Sequence, residues 1–257
     1  MALVDNIVAY YKLDESSGNA SDSVGSVTLT NNNTTTYSTG KINNGAVFNG
    51  SDQSLSATAS LVADSWTISF WVKPDDSDIS NQTMFAYRPS SGTANIIGIE
   101  GFSSMTVRCI LFDSSSFAYK DYRTSLTLTQ NAWNHFAITW NDSSISLYVN
   151  GSLDNSVTKA KDGSIAQTNT SRILRLGAET ASSNFYDGSM DEVGIWSRAL
   201  TSTEITELYN SGNGLQYPFT VSAGNIKKIN GIAWANVKKI NGIAVANIKK
   251  VNGITAQ

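Results

Sequence analysis

Apolar and polar residues alternate most regularly across residues 133–151, WNHFAITWNDSSISLYVNG. Phe136, Ile138 and Trp140 share one face of an extended chain there, and His135, Ala137 and Thr139 share the other. After the Asn141-Asp142-Ser143-Ser144 turn, Ile145, Leu147 and Val149 resume the alternation, and Asn150-Gly151 closes it. A period of two bounded by turn residues predicts half-buried antiparallel strands. Asn-Gly predicts a tight hairpin, because both residues tolerate positive φ. The same pattern predicts strands over residues 3–13, 45–48, 54–57, 66–72, 84–88, 95–100, 106–112, 117–123, 172–177 and 191–196. Pro74 ends the strand that carries Trp66, Ile68, Phe70 and Val72, since proline cannot donate to a ladder. Residues 16–25 read as a loop rich in turn formers, and residues 28–38, with their Asn-Asn-Asn-Thr-Thr-Thr run, as a polar loop holding at most one edge strand.

One helix interrupts this pattern. Thr201-Ser202-Thr203-Glu204 is a capping-box sequence, with Ile205, Leu208 and Tyr209 as a short apolar face and Gly212 placed to stop it. A helix with one apolar face needs a surface to cover, so it is expected to clip onto the sandwich. Together these elements predict an all-β fold: an antiparallel two-sheet jelly-roll sandwich over residues 1–219 with one short helix near its end.

Residues 220–257 follow a different pattern. NIKKINGIAWA, NVKKINGIAVA and NIKKVNGITAQ repeat with a period of eleven. An odd period would turn each apolar set to the opposite face of a straight strand, so the chain is expected to bend once per repeat, at Asn230-Gly231, Asn241-Gly242 and Asn252-Gly253. Two-residue hairpins would set Lys227 opposite Trp234 and Ile226 opposite Ala235, leaving neither face wholly apolar. Such a β-hairpin-like repeat tail is marginal alone and should need a partner surface. Its apolar positions are Ile226, Ile229, Ile232, Trp234, Val237, Ile240, Ile243, Val245, Ile248, Val251 and Ile254, and they are the assembly candidates.

Five segments in order resemble one family. WNHFAITW with LYVNG is similar to the central hairpin of laminin-G-like domains of the concanavalin A-like lectin/glucanase superfamily. WTISFWVKP from Trp66, YDGSMDEVGIWSRAL from Tyr186, YYKLDESSGNASDSVG from Tyr10 and KINNGAVFNGSD from Lys41 fit the rest of such a domain. The resemblance implies a concanavalin A-like jelly roll, while a fold of this kind hosts lectins, enzymes and adhesion modules alike. The tail resembles short K-x-N-G repeats at the ends of tailed-phage structural proteins. That likeness implies a virion protein, anchored to other virion proteins or oligomerised, as a trimer for example, through residues 220–257.

Composition narrows the function classes. The net charge is −3, from 18 basic and 21 acidic residues, and the sandwich has no basic stripe of the kind nucleic-acid binding needs. No stretch approaches a membrane span, and no basic start or apolar run marks a signal peptide. Release by virion assembly and lysis is one route consistent with that opening. Cys109 is the only cysteine, so no intrachain disulfide is expected, and its alternating run predicts a small buried hydrophobe. His135 is the only histidine, which excludes a Ser-His-Asp triad and multi-histidine metal sites; it is expected to bond a neighbouring strand or loop.

The glucanase branch of the superfamily resembles an E-x-D-x-x-E strand with two carboxylates on one face, as a retaining pair requires. Here Asp191-Glu192 comes nearest, but adjacent strand residues point to opposite faces. No catalysis is therefore expected. The resemblance also implies one structural Ca²⁺, with Asp14, Asp22 and Asp191 as ligands; the bland alternative makes them solvated or turn-capping residues. Glycan binding, on a bacterial surface or in mucus, is the activity the fold most readily implies. It needs an exposed aromatic plate with planar polar groups. Tyr87, Phe117, Tyr119, Tyr122 and Tyr186, with Asn184 and Asp187, are the candidates; core packing is their alternative role. The rival reading of the whole chain is a virion decoration protein with no sugar ligand.

Overall fold

The computed structural model describes residues 2–60, 65–89, 97–113, 118–141, 144–158 and 172–219, and six two-residue strands between Lys228 and Thr255. Backbone contacts divide the chain into two compact units, residues 6–214 and residues 1–5 with 215–257.

Residues 6–214 form two antiparallel sheets. In the first, the strands run in the order β13 (Ser152–Thr158), β12 (Ser144–Val149), β11 (Asn134–Trp140), β6 (Trp66–Pro74), β15 (Asp187–Trp196), β4 (Asn44–Asn49) and β3 (Thr36–Thr39), with β1 (Ile7–Tyr11) also paired to β15. In the second the order is β10 (Ala118–Arg123), β9 (Val107–Asp113), β8 (Ile97–Gly101), β7 (Thr83–Pro89), β14 (Arg172–Leu176), β5 (Ser54–Ala59) and β2 (Thr30–Asn32). The inner faces meet in one apolar core containing Trp66, Ile68, Phe70, Phe85, Ile97, Phe136, Ile138, Leu174 and Val193. This is the expected sandwich, and Cys109 is buried inside it.

The central hairpin pairs Phe136 with Val149 and Ile138 with Leu147, and β11 pairs along β6 from Asn134–Val72 to Trp140–Trp66. Its second face differs from the expected half-buried one, because every residue of β11 is buried. The cause is the helix α1 (Ser202–Tyr209), which lies over the outer face of this sheet. Tyr209 stacks on Trp71 at 5.7 Å between ring centroids and faces the His135 ring at 6.1 Å. Thr201 and Glu204 make both bonds of the capping box. Glu204 also takes a two-pronged bond from Arg198, at 2.9 and 2.7 Å, with both side chains buried. Burial alone would raise the Glu204 carboxyl; Arg198 and the Thr201 donors overcome it and bring it down to about 2.

Two regions depart from the sequence pattern. Residues 28–38 carry two strands rather than a loop with one, and β2 and β3 belong to different sheets. Residues 3–6 precede the first strand rather than joining it. The polar run is extended here because β2 and β3 are outermost strands, whose solvent-facing positions accept Thr and Asn.

In the second unit, three separate ladders pair Lys228–Ile229 with Ile232–Ala233, Lys239–Ile240 with Ile243–Ala244, and Lys250–Val251 with Ile254–Thr255. Their register is that of hairpins with two-residue loops. The Asn-Gly positions themselves, and Ile226, Trp234, Val237, Val245 and Ile248, lie outside the described residues.

Candidate functional site

Because β2 and β3 end their sheets on the same side, the chain must cross from one sheet to the other between them. It does so at Asn33 and Thr34, both with positive φ (55° and 58°). Asn31 organises the crossing: its Oδ1 accepts the Thr35 N–H at 2.7 Å, and its Nδ2 donates to the Thr35 carbonyl at 2.7 Å and the Gly18 carbonyl at 2.9 Å. The loop before β2 is thereby held against β3. Asn19 Oδ1 accepts the Asn31 N–H, and the Tyr37 hydroxyl donates to the Gly18 carbonyl, each at 2.9 Å.

A groove of about 570 Å³ lies between loop and strand. Its walls are Ser16, Ser17, Gly18 and Asn19 on one side and Asn31, Thr34, Thr35, Thr36 and Tyr37 on the other. None of these is charged. Ser16, Ser17, Thr34 and Thr36 are exposed, so hydroxyl groups line the rim, and Tyr37 is half-buried, its ring packed partly on the core. Behind the loop, Glu15 accepts the Ser21 N–H through Oε1 at 2.8 Å, while its Oε2 is buried without a hydrogen-bond partner. Burial, and after it the Glu15 charge, raise the Tyr37 phenol far above its ordinary range, so Tyr37 stays a neutral donor. Uncharged hydroxyl and amide groups beside an aromatic ring suit a neutral, polyhydroxylated ligand.

The aromatic residues expected to form an exposed plate are elsewhere. Tyr87, Tyr122 and Tyr186 are buried in the core. Tyr87 donates its hydroxyl to the Ala59 carbonyl at 3.2 Å, and Tyr186 packs against Phe48 at 6.4 Å between centroids. Strand alternation aims Tyr87 and Tyr122 inward, and Tyr186 is fully buried just before β15, so none of the three can meet a sugar. Asn184 is exposed but its amide is engaged by Glu179 at 2.7 Å, and Asp187 is half-buried beside Asp75 and Asp76. Phe117 and the Tyr119 side chain lie outside the described residues. The sequence signal for the groove was the Asn-Asn-Asn-Thr-Thr-Thr-Tyr stretch itself, whose polarity read as a loop.

The calcium candidates are not gathered. β1 and β15 are adjacent, as expected, but Asp14, Asp22 and Asp191 each bind backbone. Asp22 accepts the Tyr10, Val24 and Gly25 N–H groups at 2.9–3.0 Å, shaping its own loop. Asp14 accepts from Asn43 and Asn44 at 3.3 Å. Asp191 accepts the Lys41, Ile42 and Glu192 N–H groups at 2.7–2.9 Å. Among the described residues, no group of three or more His, Cys, Asp or Glu side chains is placed to hold a metal. Calcium needs six to eight oxygens, and these three carboxylates are not brought together into one such set.

Asp191 and Glu192 also correct the alternation argument. Glu192 has φ 52°, and β15 slips register against β6 between Asp191 and Gly194. This bulge turns both carboxylates to the outer face of the sheet. Asp191 meets the 41–42 backbone there, and Glu192 accepts the Tyr10 hydroxyl. Burial, then the Glu192 charge, push Asp191 up to about 9 against the pull of its three N–H donors. Both side chains are sealed from solvent, so the pair braces the fold.

A laminin G family model of the concanavalin A-like lectin/glucanases superfamily matches residues 48–206. No curated protein matches the chain. Among solved structures, domain 4 of AbnA, an extracellular arabinanase from Geobacillus stearothermophilus determined with arabinotriose, superposes with a TM-score of 0.61 at 24% identity, over 79% of this chain and 97% of that one. The binding domain of Paraclostridial Mosquitocidal Protein 1 superposes at 0.63 and 20% identity, over 81% of this chain and 52% of that one. The binding domain of botulinum neurotoxin DC, determined with SialylT, gives 0.61 and 16%, over 85% and 54%. The chain thus spans about half of each toxin binding domain. At these identities the likeness establishes the fold.

Proposed function

This chain belongs to the concanavalin A-like lectin/glucanase superfamily, and from that premise we propose that it is a non-catalytic carbohydrate-binding module whose sugar sits in the groove between the 16–19 loop and β3. The observation that carries this reading is the uncharged, hydroxyl- and amide-lined groove with the Tyr37 ring in its wall. The arabinanase domain supports it, since almost the whole of that domain is matched and it was determined with a neutral oligosaccharide. The toxin domains support it less, because only about half of each is matched. A non-catalytic role agrees with the sealed state of the Asp191-Glu192 pair. Calorimetric titration of the full chain with arabinotriose and a panel of neutral oligosaccharides tests the reading. Binding by at least one of them, weakened tenfold or more in Tyr37→Ala, is expected; that loss corresponds to about 1.4 kcal/mol. A silent panel, or binding that Tyr37→Ala leaves intact, contradicts it.

The repeats of residues 220–257 favour a setting in which many copies share one particle, a tailed-phage virion, with the tail as the anchoring and oligomerising segment. Weak single grooves, displayed together on host-surface or mucus glycans, would then hold by avidity.

A further inference from the structure

The outer face of the seven-stranded sheet carries a buried cation with no counter-charge among the described residues. Arg175, on β14, stands opposite Ser56 of β5 and Ala86 of β7, on the face away from the core residues Leu174 and Leu176. It is only 8% exposed. Its Nη1 donates to the Ser54 hydroxyl at 3.0 Å, and its Nε is buried without a hydrogen-bond partner. Ser54 is neutral and itself buried. Burial, and after it the charge of the neighbouring Arg88, lower the proton affinity of Arg175. Arg88 has its own partner, Glu179, at 3.4 Å. A guanidinium does not shed its proton in proteins, so burial leaves a full charge opposed by one hydroxyl.

The surroundings indicate what would complete it. Arg88 starts opposite Ile173 and reaches Glu179, while Arg175 reaches Ser54, one pair beyond Leu55–Leu176. The two side chains therefore run the same way along the sheet. Beside them, Asn32 Nδ2 donates to the Ser54 and Ser56 hydroxyls at 3.3 and 2.9 Å, continuing a neutral hydroxyl and amide strip. A carboxylate matches the planar donor fork of arginine in a way a spherical anion does not, and the strip matches sugar hydroxyls.

We propose that Arg175 and Ser54, flanked by Arg88, form a second binding site on this face, which takes the carboxylate of an acidic sugar, a uronic acid residue. The site lies on the outer sheet face, next to the groove through the Thr35 hydroxyl that donates to the Ser54 carbonyl at 3.4 Å, and its assignment does not depend on the function given to the groove. The test is thermal melting and calorimetry of the full chain with sodium glucuronate, sodium acetate, glucose and sodium chloride at matched ionic strength. Glucuronate should raise Tm saturably, more than acetate, while glucose and chloride leave it unchanged. Arg175→Lys, which keeps the charge and loses the fork, should weaken glucuronate at least tenfold, and Ser54→Ala should weaken it without removing the cation. An equal response to acetate and glucuronate overturns the sugar assignment. No response to glucuronate in the parent chain, an equal response to chloride, or an undiminished response in both variants overturns the site itself.

Discussion

His135 shows how one buried side chain sets a pH response. It is 1% exposed, its Nε2 lies 2.8 Å from the Ser69 hydroxyl, and burial lowers its imidazole to about 3. The folded chain therefore keeps it neutral while the unfolded chain protonates it below its ordinary value of 6.5. Its contribution is fully present above pH 6.5 and is lost as pH falls toward 3, by about 1.4 kcal/mol per pH unit. Urea melts at pH 7, 5 and 4 should show His135→Gln losing less stability with acid than the parent chain, by up to that slope; parallel curves would contradict it. Gly177 is a second single-residue test. It has φ 81°, and a Cβ there would stand 2.3 Å from Phe48 Cδ1. Gly177→Ala should destabilise by about 2–3 kcal/mol through strain and overpacking, read as a shifted denaturant midpoint. At this scale the sequence was legible where a residue's partner was local. Cys109 as a core residue follows from alternation alone, and His135 as a structural residue follows from its being the single histidine of the Trp-x-His stretch. Tyr87 and Tyr122 did not, because period two says which residues of a strand share a face and leaves open whether that face is core or solvent, and Tyr186 precedes its strand. Asp191 and Glu192 escaped because a bulge breaks the period on which the reading relied.

The helix α1 is the element that converts a half-buried sheet into one covered on both sides. Its start is fixed twice, by the capping box and by the Arg198–Glu204 pair. Thr201→Ala removes only the cap and should cost about 1 kcal/mol. Glu204→Ala strands a buried arginine as well and should cost about 3–5 kcal/mol, with loss of near-UV signal from Trp71 before the global transition. Equal effects of the two substitutions in denaturant titrations would show that the ion pair adds nothing to the cap. The helix was legible from four residues, but the surface it covers was not, because Trp71, His135 and Tyr209 are distant in sequence and meet only through sheet pairing. The strands were legible wherever an apolar stripe faces the core. β2 and β3 were not, since outermost strands can be polar on one side and still be strands.

For the molecule as a whole, residues 6–214 contain both sheets, the apolar core and the helix, so the sandwich has what independent folding requires. A chain truncated after Phe219 should keep a cooperative melt within a few degrees of the parent. If the repeats drive assembly, light scattering should show it as a monomer where the full chain is larger; equal masses would remove the tail from any oligomerising role. The groove lies on ground that the family pattern does not describe, since its walls come from residues 16–37 and the matched segment begins at residue 48. All of its lining is encoded by one uninterrupted stretch of chain near the start. If the groove is the binding site, ligand preference is written as a cassette, and exchanging that stretch between relatives should retarget the module provided that its core residues Ala20 and Leu29 are kept.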